Sequence, residues 1–213
     1  MKIVQIYLSI SKMYFFLFLI SIVLAITYIQ LENIIPLSVE KMDMPETLKQ
    51  EFIRHSIKYS WASYLGAILI VMLRILYTTI CLYIGSILFA GYDSLCFNKS
   101  LNVALKADLL LVLYSLFTVL LIMHLGVDDG QSIVLKTSLA GFANVESIES
   151  WILMIMGAFN LFELLYWMLL SLFVSAIIKR KFVESFSFIL STYGLGFLLY
   201  LLMMVFITLY ITK

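Results

Sequence analysis

Between Trp61 and Ala90 the chain runs for thirty residues that are almost all apolar, and the single charge among them, Arg74, falls at the midpoint. As a helix rising about 1.5 Å per residue, this stretch would extend about 45 Å. That exceeds the roughly 30 Å of a bilayer's hydrocarbon, so it reads as a tilted or overhanging membrane helix. Arg74 then lies near mid-bilayer, where a guanidinium costs about 2.5 to 3.5 kcal/mol on insertion scales and must face a partner or a watery cavity rather than lipid. One carboxylate sits at matching depth in another apolar run, Trp151 to Ile178: Glu163.

A chain of 213 residues with 63% hydrophobic and 13% charged residues cannot clothe a soluble domain in a polar shell. The composition is that of a polytopic membrane protein, all-α, with one transmembrane domain over residues 1–213. The net charge of +1 and the lack of a basic patch outside the apolar runs give no basis for nucleic-acid binding. The two cysteines, Cys81 and Cys96, have neither CxxC nor metal-ligand spacing and read as packing residues.

Five spans are expected, at about 13–29, 61–90, 107–126, 151–178 and 182–211. The first follows Lys2 and Lys12 like the apolar part of a signal peptide, but it is longer and lacks a small-x-small cleavage site before Gln30, so it is expected to remain as a span. The polar segment 30–60 contains Asp43-Met44-Pro45-Glu46, which has the residues of a helix start with Asp43 as cap. Leu48, Phe52, Ile53 and Ile57 then recur near helical spacing, predicting an amphipathic helix that lies along the interface before the second span. Ala62-x-x-x-Gly66 and Ser86-x-x-x-Ala90 offer small residues for close helix approach. A polar bend is expected over 91–106 and a polar loop over 127–150. Lys179-Arg180-Lys181 joins the last two spans as an antiparallel hairpin.

With the amino end in the cytoplasm, the inner segments carry Lys2, Lys12, Lys99, Lys106, Lys179, Arg180 and Lys181. The outer ones carry Lys41, Lys49, Arg54, Lys58, Lys136 and Lys213. Four of the outer six fall in the long segment after the first span, whereas the 179–181 cluster abuts two spans, so the positive-inside bias favours a cytoplasmic amino end. A bacterial plasma membrane is the expected location.

The wording GYDSLCFNKSLNVALKADLLLVLYSLF (Gly91 to Phe117) and NLFELLYWMLLSLFVSAIIKRKFVESFSFILSTYGLGFLLYLLM (Asn160 to Met203), with five spans and a tight last link, resembles the Yip1 family of multispanning membrane proteins. An Ala-Leu pair precedes the third span. Asn-Leu-Phe with a following Trp opens the fourth, and a Lys/Arg-Phe link leads into the fifth. The resemblance runs from the second span to the end and is to the short prokaryotic type: about a dozen residues precede the first span, and the proline common early in the third span of bacterial members is missing. It implies a five-helix membrane bundle. The Rab-linked trafficking of eukaryotic members is not carried over, because the part that serves it has no counterpart here.

The candidate site is an intramembrane polar cluster of Arg74, Asn160 and Glu163. Asn160 lies three residues before Glu163, on the same helical face, and is placed to hydrogen-bond either charged partner. The cluster reads either as a structural pair fixing how the second and fourth spans pack, or as a gated ion pair or a proton or substrate binding point. Asp108 and Glu184, near the starts of their spans, read as complements to helix dipoles. His124, Asp128 and Asp129 form a weak cation-ligand set, since consecutive aspartates point apart. Trp61 and Trp151 read as interfacial residues and Trp167 as bundle packing.

There is no GxSxG, HExxH, phosphate-binding glycine loop or membrane aspartate pair. The expectation is a non-enzymatic protein without cofactor or bound metal, acting through helix contacts with itself or another membrane protein. The alternative is a small transporter or transporter subunit with Arg74, Asn160 and Glu163 on the solute path.

Overall fold

A computed structural model describes residues 2–92, 94–143 and 148–211. Residue 93 of the expected bend, residues 144–147 of the expected loop, and Lys213 lie outside the described residues. Among the described residues five helical segments are long and apolar enough to cross a membrane: Lys12–Glu40, Ser60–Leu88, Phe97–Leu125, Leu161–Ile178 and Phe182–Tyr210. The chain is a multi-pass, all-α integral membrane protein.

The first span is longer than its apolar core suggests. Helix α2 (Lys12–Ile29) passes through a π-helical turn, Gln30–Ile34, into α3 (Ile35–Glu40), so the first part of the expected polar segment is helix. Pro36 has no N–H to give and its ring crowds the carbonyl four residues back. A wider π turn just ahead of it lets the helix continue. Before α2 lies a short helix, α1 (Lys2–Ser9), which the sequence reading left unassigned.

Helix α4 (Glu46–Lys58) is the expected lead-in, with Leu48, Phe52 and Ile57 exposed as an interfacial helix would present them to lipid. Its cap differs from the expectation. Pro45 occupies the N-cap position and its carbonyl receives the first amides, from Leu48 and Lys49, while no side chain caps the helix; Asp43 stands two residues too early. Lys49 Nζ donates to the Glu40 carbonyl at 2.9 Å, tying α4 to the end of α3.

Helix α5 (Ser60–Leu88) contains Arg74. Helix α6 (Phe97–Leu125) begins ten residues earlier than the expected third span and packs against α2, α5 and the later helix α9. Most of the supposed polar bend is therefore helix. Its Val103, Ala104, Leu105 and Ala107 are buried, and Lys106 among them is too. Lys106 can be buried because its Nζ donates to the carbonyls of Tyr7 and Ile10, at 2.8 and 2.9 Å, which fits a cation to the C-terminal end of α1. Tyr7 returns a hydrogen bond to the Lys106 carbonyl, and burial pushes its phenol up to about 12.

The expected loop 127–150 is partly helical. Gly126, with φ of 87°, turns the chain into α7 (Val127–Lys136), which folds back on α6: a Cβ on Gly130 would lie 2.7 Å from the Ile122 Cα. A short 3-10 turn, Leu139–Phe142, follows. The fourth apolar run, expected as one helix, is two: α8 (Ser150–Ala158) and α9 (Leu161–Ile178). The backbone groups freed at the break are taken up by a strand-like pairing of Ser138 with Asn160. Leu139 N–H donates to the Phe159 carbonyl at 3.0 Å and Leu161 N–H to the Thr137 carbonyl at 2.9 Å. In lipid such groups must find partners within the protein.

Lys179, with φ of 59°, closes α9 in a left-handed cap. The last span is α10 (Phe182–Ile189), a π turn over Leu190–Gly194, and α11 (Leu195–Ile211). This π turn packs on α5 at Gly85, where an added Cβ would come 2.1 Å from Thr192 Cγ2. The close approach thus uses Gly85 rather than either small-residue pair expected from sequence, for Gly66 has no neighbour within 4 Å of its missing Cβ and Ala90 is exposed. Gly85→Val should force α5 off the π turn and lower the melting temperature of the detergent-purified protein by several degrees, whereas Gly66→Val should leave it within a degree or two; circular dichroism melts of the two variants check this.

Candidate functional site: a buried polar layer across four helices

Arg74 is held by Asp108 of α6, not by Glu163. Its Nε donates to Asp108 Oδ1 at 2.6 Å and one Nη to Oδ2 at 2.8 Å, the two-pronged geometry in which a guanidinium matches a carboxylate best. Asp108 is fully buried, while about a third of the Arg74 side chain remains accessible. Asp108 is the twelfth residue of α6, far from the helix start, so its expected dipole role falls away. The misplacement has one cause: with α6 started at Ala107, Asp108 looked terminal, and with ten more residues of helix it faces Arg74.

Glu163 lies in the same layer with different partners. Its Oε1 accepts hydrogen bonds from Trp167 Nε1 at 2.7 Å and from the Tyr193 hydroxyl at 3.0 Å. Trp167, expected as packing alone, is thus also a buried donor one turn along α9. Asn160 serves α9 as its N-cap, with its Oδ1 accepting from Glu163 N–H at 2.8 Å. The i, i+3 relation of Asn160 and Glu163 that suggested a shared polar face is in fact a cap relation, and Asn-x-x-Glu ahead of an apolar run is its sequence signature.

Tyr166 completes the layer. Fully buried, it shares a hydrogen bond with Thr78 of α5 at 3.1 Å, and its ring meets that of Tyr193 edge-on at 5.5 Å between centroids. Arg74 and Thr78, one turn apart on α5, therefore connect through Asp108 to α6 and through Tyr166 to α9. Tyr193 lies in the π turn of the last span, so four helical segments meet here. Of the three residues expected to cluster, Asn160 and Glu163 touch each other, and Arg74 joins them in the same layer through other partners.

Arg74 also faces a cleft of about 170 Å³ between α2, α5 and α6, bordered by Thr27, Gln30 and Ser115 among apolar side chains. Its accessible edge opens there, as a membrane arginine requires of a partly solvated guanidinium. The break at Asn160 stands one turn before Glu163, at the border of this layer. The eighteen residues of α9 rise about 27 Å, close to the full hydrocarbon thickness.

Elsewhere, Glu184 takes a loose i, i+4 partner in Arg180 at 3.8 Å, and Asp128 pairs with Lys41. Among the described residues no group of three or more His, Cys, Asp or Glu side chains is placed to hold a metal ion.

Removing one half of a buried ion pair leaves the other uncompensated, at a cost of about 3 to 5 kcal/mol. Arg74→Ala should destabilise the folded protein by that order, and Asp108→Asn in the same chain should recover part of the loss. Glu163→Gln should recover much less. A double-mutant cycle on unfolding free energies that finds stronger coupling for 74–163 than for 74–108 would contradict this geometry.

The sequence matches no protein-family model, and comparison with curated proteins and with solved structures finds no match for the chain.

Proposed function

We propose that this is a non-enzymatic membrane protein of the Yip1-like type, which acts through helix contacts within the bilayer, with itself or with another membrane protein. One observation carries the reading: the ionisable groups buried at mid-bundle are matched to donors and acceptors of their own and neighbouring helices. Arg74 is engaged by Asp108 through two bonds, and Glu163 by Trp167 and Tyr193. Such matching fixes the register of helices, as a buried polar contact does in other bundles. A transporter of the inverted-repeat kind would instead place broken helices at the bilayer midplane around a vacant site. Here the break at Asn160 is closed within the protein, by backbone hydrogen bonds with Thr137 and Leu139 and by the Asn160 cap.

The second reading, a small transporter or transporter subunit, draws on the cleft beside Arg74. The side chains of Gln30 and Ser115 border it with no hydrogen-bond partner among the described residues, and a solute or water could bond to them. The two readings separate in reconstituted vesicles. On the favoured reading, purified protein adds no flux of ions or small solutes over protein-free vesicles, and gentle extraction yields a stoichiometric self-assembly or membrane-protein complex. Flux that vanishes in Arg74→Gln or in a Ser115→Leu variant filling the cleft would replace it with the second.

We place the amino end in the cytoplasm and the chain in a bacterial plasma membrane. The end of the bundle that contains the start of α2 gathers six cations, Lys12, Lys99, Lys106, Lys179, Arg180 and Lys181, against one carboxylate, Glu184, among the described residues. The positive-inside bias favours that end for the cytoplasm. A compartment-sensitive reporter inserted after Lys181 should report the cytoplasm and one inserted after Met42 the opposite side; the reverse pattern would invert the topology.

A further inference from the structure

We propose that the groove between α2, α5 and α6 is a binding site for one anionic phospholipid. The groove encloses about 500 Å³ on the outer face of the bundle and is walled by Met13 and Phe16 of α2, Leu69 and Leu73 of α5, and Leu105 of α6. Lys12 is the polar residue on its wall, and it stands at one end. A slot with apolar walls and a cation at its mouth has the polarity of a phospholipid, with hydrocarbon inside and phosphate at the rim.

Depth agrees with this assignment. Lys12 is the first residue of the first span, at the level where headgroups lie, and Met13 and Phe16 follow it into the hydrocarbon. Among the described residues the ammonium has no carboxylate partner. Its one hydrogen bond in the protein, to Asn98 Oδ1, is long at 3.3 Å and leaves two N–H donors for phosphate oxygens.

Charge complementarity selects an anionic lipid over a zwitterionic one. Lys12 belongs to the cationic end of the bundle, where six basic side chains face one carboxylate among the described residues. A lysine at such a surface strengthens attraction for anionic lipid severalfold. Along the same helices the other cleft, beside Arg74, is lined by Thr27, Gln30 and Ser115 and suits water better than an acyl chain.

The test is native mass spectrometry of protein exchanged into detergent with either phosphatidylglycerol or phosphatidylcholine of matched chains. The expected result is one retained phosphatidylglycerol per chain, favoured about fivefold over phosphatidylcholine. Lys12→Gln should abolish that preference. Lys99→Gln, at the same end but outside the groove, should preserve it. Leu73→Trp, which fills the groove, should reduce retention of both lipids, with melting curves to establish that it folds; if it does not, the paired lysine variants decide. Equal retention of the two lipids, or a preference that survives Lys12→Gln, would overturn the proposal and leave only annular lipid.

Discussion

The bundle depends on the pairing of Arg74 with Asp108. Placing a guanidinium among transmembrane helices is unfavourable unless its charge and its donors are matched, and the match here constrains two helices at once. Both carboxylate oxygens are engaged from one side, so α5 and α6 are fixed in rotation as well as in height. Thr78, one turn further along α5, then meets Tyr166 of α9, and Tyr193 reaches Glu163 from the last span. Each contact is local, yet their order around the layer leaves little freedom to slide one helix past another. Apolar packing alone would permit such sliding, since lipid tails solvate Leu and Ile as well as neighbouring helices do.

The second constraint is that lipid offers no hydrogen bonds to an interrupted backbone. The chain departs from regular α-helix within its apolar runs at three places, and each has a local remedy. The π turns at Gln30–Ile34 and Leu190–Gly194 retain internal hydrogen bonds in a wider ring. The gap between α8 and α9 is closed by two backbone hydrogen bonds, one accepted by Thr137 and one donated by Leu139, and by the Asn160 cap. The segment after α6 therefore has a task beyond connecting spans: it folds back to satisfy a helix end. Its polar residues had suggested an outer loop and, with His124, a weak cation-ligand set.

What was legible in the sequence followed from periodicity and length. The number of spans, the lead-in α4 and the tight turn after Ile178 are consequences of apolar run lengths and short interruptions, and each is found. What was misread came from treating charge as a boundary. Lys106 and Asp108 were taken to mark where the third span begins, although Val103, Ala104, Leu105 and Ala107 around them are as apolar as the span itself. A charged residue ends a membrane helix only if it lacks a partner inside the protein, and a sequence does not show partners. Lys106 finds backbone carbonyls of α1, and Asp108 finds Arg74. The assignment of Glu163 to Arg74 failed for the complementary reason: with Asp108 set aside as terminal, Glu163 was the carboxylate left at the right depth. Asn160 carried a readable signal, Asn three residues before Glu, but a run of 28 apolar residues without proline argued for one unbroken helix.

The remaining asymmetry lies between the two ends of the bundle, and it ties folding to orientation. At the cationic end, Lys106 donates to carbonyls of α1 and Lys99 to the Ser94 carbonyl, so these side chains satisfy backbone acceptors that helix and turn geometry leave over. A backbone carbonyl accepts a cation's hydrogen bond without cancelling its charge, as a carboxylate would. That end can therefore be well bonded and still present a positive face. At the opposite end Lys41 meets Asp128, and the charge is neutralised in place. Among the described residues that end holds eight carboxylates, Glu32, Glu40, Asp43, Glu46, Glu51, Asp128, Asp129 and Glu149, against five cations, Lys41, Lys49, Arg54, Lys58 and Lys136, so the two ends carry net charge of opposite sign. An orientation signal read during insertion then survives in the folded protein as a surface that favours anionic headgroups.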